Sequence, residues 1–508
     1  MKTLEHLQEL IRVLQEIQHI SSATALMSWD QETYMPKGGA AARAAQISYF
    51  KGLAHESRTG DKMRRALSEF VDLKTGALKS DAWDVPSRAL LREAWRDYHR
   101  ATRLPADFVR TLGLETSLTH AVWVEARSNN DFSLFAPNLQ RIIALKKQEA
   151  EYVGYAVSRY DALMDTFEPG MTTAKIVPLF DALKSKLVPL VEKIRQSEVK
   201  TDEALLKQYY DPKRQWDFGL SVLSTMGFDF NTGRQDRSAH PFTTSFHPSD
   251  VRLTTRIDAH DLPSALFSSI HEGGHGLYDQ GLPEEYYGTP LGESISLGIH
   301  ESQSRLWENN VGRSRSFWAY FFPKLQTVFP ENLKDTDFNT FYTAINGVRP
   351  SLVRVESDEV TYNLHIMLRF EIERMLIEDN LPVEALPETW NQKMEDYLGI
   401  RPETDADGVL QDVHWAGGAF GYFPTYTLGN LYAAQFFNQA QREIADLPER
   451  LSAGDLVTLK TWLNKKIYCW GKQYTSDDLI ERVTGEPLDP AYFIRYLEAK
   501  FGEIYPLS

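Results

Sequence analysis

Two histidines four residues apart, with a glutamate directly after the first, stand at His271-Glu272-Gly273-Gly274-His275. On a helix of about 100° per residue the imidazoles lie one turn above the other, so both can bind one tetrahedral zinc ion. Glu272 falls slightly round the cylinder, where its carboxylate reaches a water on the metal instead of the metal itself. On such a wheel Ser264, Ser268, His271, Glu272, His275 and Asp279 form a polar face. Leu266, Ile270, Gly273, Gly274 and Leu277 form the back. Asp279, one turn beyond His275, either orients that histidine or ends the helix in solvent. Each glycine costs a helix about 1 kcal/mol relative to alanine. Two in succession on the back predict another element packed closely behind.

A catalytic zinc site commonly has three protein ligands and one open position. In peptidases of this kind the third is commonly a glutamate on a later helix. Glu301, 26 residues after His275 and beyond a Gly- and Pro-rich loop, has the spacing to be it. Glu293 and Glu308 compete, and Glu284 and Glu285 lie in the loop itself; spacing leaves the choice open. The single cysteine, Cys469, excludes a thiolate cage and an intramolecular disulfide, and reads as a small buried hydrophobe.

The elements that must position these residues are mostly helical. Leu4, Leu7, Ile11, Leu14, Ile17 and Ile20 recur at helical spacing, and a loop is read through Trp29-Asp30-Gln31 to Gly39. The alanine-rich run from Gly39 restarts a helix, and helix follows helix to about Met226, broken at signals such as Leu104-Pro105 and Asp211-Pro212. Between residues 228 and 257 the period changes. β-favouring residues at 241–246 and 251–255 flank the turn residues His247-Pro248-Ser249-Asp250, which predicts a hairpin or small antiparallel sheet. Helices resume at Leu262-Pro263 and continue to the end, with Gly417, Gly418 and Gly421 interrupting one segment.

The 508 residues carry a net charge of −15, which argues against nucleic-acid or anionic-membrane partners. No run of about eighteen apolar residues predicts a membrane span. The first residues, Met1 to His6, open a charged amphipathic segment in place of a secretory core. With one cysteine, the expectation is a cytoplasmic protein.

The motifs taken together resemble the carboxypeptidase Taq family of zinc metallocarboxypeptidases over nearly the whole chain. Trp29-Asp30, Met35-Pro36-Lys37-Gly38, His240-Pro241-Phe242 and Asp250-Val251-Arg252-Leu253-Thr254 match in order. So do residues 271–275, His300-Glu301-Ser302-Gln303, Gly347 to Pro350, and Gly408 to Trp415. One element departs: the family's Ile-Arg-x-x-Ala-Asp reads Val353-Arg354-Val355-Glu356-Ser357-Asp358, a change expected to touch local packing or subsite preference. The resemblance implies a mainly α fold, a large multi-helix body with a deep groove and one small sheet, and a homodimer. It implies one catalytic domain over 1–508, with a helical part to about residue 227 and a zinc-binding part from 228.

The resemblance also implies release of single residues, with broad specificity, from peptides with a free C-terminal carboxylate. It makes Glu301 the third zinc ligand beside His271 and His275, one ion per chain. Cobalt or manganese can substitute in such a His/Glu set. Glu272 is the general base and acid. His414 and Tyr426, with Tyr422 as alternative, are the oxyanion donors; against this stand a satisfied core histidine and buried structural tyrosines. Arg349 suits the substrate carboxylate through its bidentate fork, the competing role being a structural ion pair. Arg252 supports the site through a carboxylate such as Asp250, and His240 either donates to substrate or stabilises the sheet. The rival readings are an endopeptidase or oligopeptidase with the same chemistry, and a zinc-binding scaffold that has lost activity. A base beside the metal argues against the scaffold.

Overall fold

The computed structural model describes residues 2–199 and 201–506, with side chains from residue 5. The chain is mainly α, with one three-stranded sheet among the described residues. It divides into two compact units, each assembled from three stretches of sequence.

The first unit holds residues 1–102, 203–345 and 436–487. Helix α1, Lys2–Thr33, and helix α2, Ala40–Thr59, form a hairpin. Trp29 and Asp30 therefore lie inside a helix, not in the loop expected from sequence. Arg43 reaches back from α2 to the Asp30 carboxylate at 2.8 Å and to the Met27 carbonyl at 2.7 Å, which ties α2 to the end of α1. Leu10, Val13 and Ile17 of α1 are buried against Met63, Leu67, Phe70 and Leu91.

Helix α3, Pro212–Met226, begins at Asp211, whose carboxylate accepts from the N–H groups of Lys213 and Arg214, and stops at Gly227 in the left-handed region. Strands β1 (Gly233–Arg237), β2 (Thr243–His247) and β3 (Asp250–Thr255) pair in the order β1-β3-β2. β2 and β3 are the expected antiparallel pair, while β1 joins β3 in parallel, so the sheet is mixed. The sheet packs on helix α4, Leu262–Gly281, which carries the two histidines. Helix α5, Leu297–Arg305, starts at Ser296, whose hydroxyl accepts from Ile299 N–H. It continues into a π-helical turn, Leu306–Val311.

The second unit holds residues 103–202, 346–435 and 488–508. Its centre is helix α6, Tyr362–Ile377, in which His365, Arg369 and Glu373 are fully buried. An irregular segment then leads to helix α7, Pro424–Glu443, whose residues up to Gln435 belong to this unit.

Candidate active site

In the first unit, the apolar back of α4 lies in the core, while on its polar face Glu272 and Asp279 are buried and His271 and His275 are half-buried. The two glycines explain how neighbours come so close. A Cβ on Gly273 would meet Leu223 Cδ2 of α3 at 2.4 Å, and one on Gly274 would meet the Gln303 carbonyl oxygen of α5 at 2.6 Å. Close approach of α5 brings Glu301 to the histidines. His271 Nε2 lies 3.7 Å from Glu301 Oε2, and His275 Nε2 lies 3.4 Å from the same oxygen. A tetrahedral ion with bonds of about 2.0–2.1 Å holds its donor atoms about 3.4 Å apart. One ligand atom from each of the three side chains falls within 4.8 Å of the others, so the set fits one metal ion.

The surroundings set the charge state of that set. Burial would raise Glu301, but Arg305 and the two histidines hold it well below the usual carboxylate range; Arg305 Nε donates to Oε1 at 2.7 Å. Burial and the neighbouring His300 push His275 down to about 4, which leaves it a neutral ligand. His271 is raised, because Glu301 and Glu308 outweigh its burial. Its Nδ1 meets Glu308 Oε2 at 2.8 Å, the carboxylate–histidine arrangement that fixes a ligand's ring. The π-helical turn turns Glu308 towards His271, and Arg305 at 3.3 Å and Arg313 at 3.7 Å balance its charge.

Glu272 is buried, and that burial raises its carboxyl against the opposing pull of His271 and a hydrogen bond from Thr243. Thr243 Oγ1, on β2, donates to Oε2 at 2.6 Å. Asp279 does not meet His275. It pairs with His300 Nε2 at 3.0 Å, and the His300 ring stacks on His275 with centroids 4.3 Å apart. The expected carboxylate support thus goes to a histidine that braces the ligand by stacking. Glu293, the other candidate ligand, pairs with Lys472 at 2.5 Å. Glu284 and Glu285 are exposed. Arg252 is clamped by Asp250 at 2.9 Å and lies over the Trp29 ring at 4.3 Å. His240 is exposed, and its carbonyl accepts from Ser238 Oγ. Cys469 is half-buried, less enclosed than expected.

The second unit holds the remaining candidates. Asp412 accepts from Arg354 at 2.8 Å and from Arg369 at 2.6 Å, and these two cations hold it far below the usual range despite burial. His414 is pushed down to about 4, by burial first and then by Arg354 and Arg369, against Asp412. At neutral pH it is an uncharged imidazole with one N–H to give. Its ring lies 5.4 Å from Tyr422, and Tyr422 lies 5.3 Å from Tyr426. Tyr426 has the Arg354 guanidinium over its ring at 5.2 Å. Arg349 is exposed, and its backbone N–H donates to Asp358 at 3.0 Å. Ser357, where the family motif has alanine, donates to the Val353 carbonyl at 3.2 Å, a local bond only.

Glu373 completes this region, and the sequence reading had not singled it out. It accepts from Tyr160 Oη at 2.7 Å, Trp415 Nε1 at 2.8 Å and Gly421 N–H at 2.9 Å, so it pins both ends of the segment that presents His414 and Tyr422. Thr243, His300 and Arg305 were likewise passed over. His300 carries a signal in the His300-Glu301-Ser302-Gln303 element, and Arg305 in its i,i+4 spacing from Glu301.

Residues 9–501 match the model of the carboxypeptidase Taq (M32) metallopeptidase family. Thermostable carboxypeptidase 1 of Thermus thermophilus is 42% identical over 510 residues, covering 98% of this chain and 98% of its own. Carboxypeptidase 1 of Bacillus subtilis is 40% identical, with 98% and 99% covered. The crystal structure of an M32 carboxypeptidase from Deinococcus radiodurans superposes with a TM-score of 0.95 at 37% identity, covering 99% of this chain and all of that one. The chain belongs to the carboxypeptidase Taq (M32) family of metallopeptidases and is, with it, a metal-dependent peptide hydrolase.

Proposed function

We propose that the protein is a zinc carboxypeptidase of broad specificity that removes single residues from the free C-terminus of peptides, acting as one catalytic domain. The observation that carries this reading is the convergence of His271, His275 and Glu301 beside a buried Glu272. Zinc held by those three residues supplies a Lewis acid for the scissile carbonyl and acidifies a water molecule.

Glu272 takes the proton of the attacking water and delivers it to the leaving amine. Its raised affinity for a proton suits a group that must hold one between the two steps. Thr243 keeps Oε2 occupied and so fixes how the carboxylate faces. Glu308 and His300 hold the rings of His271 and His275 in place. Neutral His414 and a tyrosine hydroxyl, Tyr426 or Tyr422, serve as donors to the developing oxyanion. Arg349 receives the substrate's terminal carboxylate. Arg252 and His240 support binding from the sheet side. The family resemblance suggests a homodimer, and the acidic, single-cysteine chain suits a cytoplasmic setting. Light scattering at working concentration tests the dimer. No described helix is long and apolar enough to cross a membrane.

Glu272→Gln lowers kcat by about 10²–10⁴ while zinc content, measured by mass spectrometry, stays at one per chain. Full activity in that variant would sink the mechanism. With the unaltered protein, amidating the peptide's C-terminus abolishes release; undiminished cleavage would establish an endopeptidase instead.

A further inference from the structure

A cavity of about 610 Å³ in the first unit lies between α1, α2 and the start of β2. Its wall on the β2 side includes Thr243, whose hydroxyl donates to Glu272, so the cavity lies one residue away from the catalytic base. Along α2 its lining residues are Lys51, Ala54, His55 and Arg58, spaced at i, i+3, i+4 and i+7, one stripe of the helix. Among the described residues none of these three basic side chains makes a salt bridge. Glu32 on α1 is the only acidic residue in the lining. Lys51 and Arg58, the latter with Asp97 as a nearby counter-charge, place positive charge along this wall of a protein of net charge −15.

We infer that this cavity is a subsite for the acidic side chains, Asp or Glu, of peptide residues upstream of the scissile bond. The inference rests on the carboxypeptidase reading and adds a substrate class to it. A carboxypeptidase leaves one residue beyond the cleaved bond. A space several times the size of one side chain, joined to the base through Thr243, is where the chain that precedes the bond can lie. Lys51 and Arg58 supply the charge, and Trp29 and Phe242 supply apolar walls for the peptide's methylenes.

The test uses Glu272→Gln, which binds without turning over, and a set of peptides with one fixed last residue and Glu, Gln or Lys placed singly at each upstream position. Calorimetry should show Glu bound about fivefold more tightly than Gln at one position or more, and Lys more weakly. Raising the salt concentration should shrink that ratio. Adding Lys51→Glu and Arg58→Glu should invert it in favour of Lys. Lys51 is exposed, so Lys51→Gln alone keeps the fold and should reduce the ratio. Equal affinity for Glu and Gln at every position, or a preference unmoved by both sets of variants, overturns the subsite. Release of the last residue from the Gln peptides by the unaltered protein is followed separately. Its absence would overturn the carboxypeptidase reading, while the affinities alone decide the subsite.

Discussion

The metal-ligand region of the first unit and the Asp412 region of the second each bury a histidine held near pKa 4, yet their charges are opposite in design. Around His275 stand Glu272, Glu301, Glu308 and Asp279, with Arg305 and Arg313 as the counter-charges; carboxylates exceed cations. Around His414 stand Arg354 and Arg369 with Asp412 shared between them; cations exceed carboxylates. The first region suits a cation and the second an anion. In both, burial is the main cause of the lowered value, joined by neighbouring histidines at His275 and by Arg354 and Arg369 at His414.

The contrast is broken most severely at Asp412. Asp412→Asn leaves two buried guanidinium groups sharing a neutral amide and should cost about 3–5 kcal/mol, read as a drop in the urea midpoint. A loss under 1 kcal/mol would mean the cluster is not held by charge. Next comes Glu373, whose carboxyl burial pushes up to about 7. Its folded-state value exceeds its unfolded one, so its contribution is complete below about pH 4.5 and fades as pH rises through 7. Stability should fall by roughly 3 kcal/mol at most across that window, and Glu373→Gln should flatten the slope. A slope unchanged by the substitution assigns it to other groups.

In the first unit, Glu308→Gln removes the charge behind His271. Zinc affinity should weaken by about 10- to 100-fold in a chelator competition, with little change in fold stability. Unaltered affinity would leave His271 positioned by packing alone. The smallest effect separates the two glycines. Gly274→Ala presses on α5 backbone and should cost about 1–3 kcal/mol, whereas Gly273→Ala meets the end of a leucine side chain and should cost less. Equal costs would show that α5 shifts as easily as Leu223.

Much of this could be read from the residues alone. The His271–His275 spacing and the glycines behind it placed α4 correctly, and β-favouring residues marked β2 and β3. β1 escaped notice because Gly-Arg-Gln-Asp-Arg has no β-branched or aromatic residue; its pairing with β3 comes from the tertiary fold. The Trp29-Asp30 stretch reads as loop because Met35-Pro36-Lys37-Gly38 follows closely, whereas the helix runs on to Thr33 before those residues end it. Helical spacing put Asp279 under His275, but its partner His300 comes from α5, and no local rule reports that. Glu301 could be chosen over Glu293 and Glu308 only through resemblance. Distinguishing them physically needs Lys472 and Arg313, both distant in sequence.

Arg305 reaches both Glu301 and Glu308, and Arg313 shares the second. Both carboxylates, the one in the candidate metal set and the one behind His271, thus have a counter-charge supplied by the chain itself. A zinc finger cannot collapse until its ion neutralises the thiolates. Here part of that repulsion is already offset by Arg305 and Arg313, so removing the ion with a chelator should leave the helical fold in place, as circular dichroism of the metal-free protein would check.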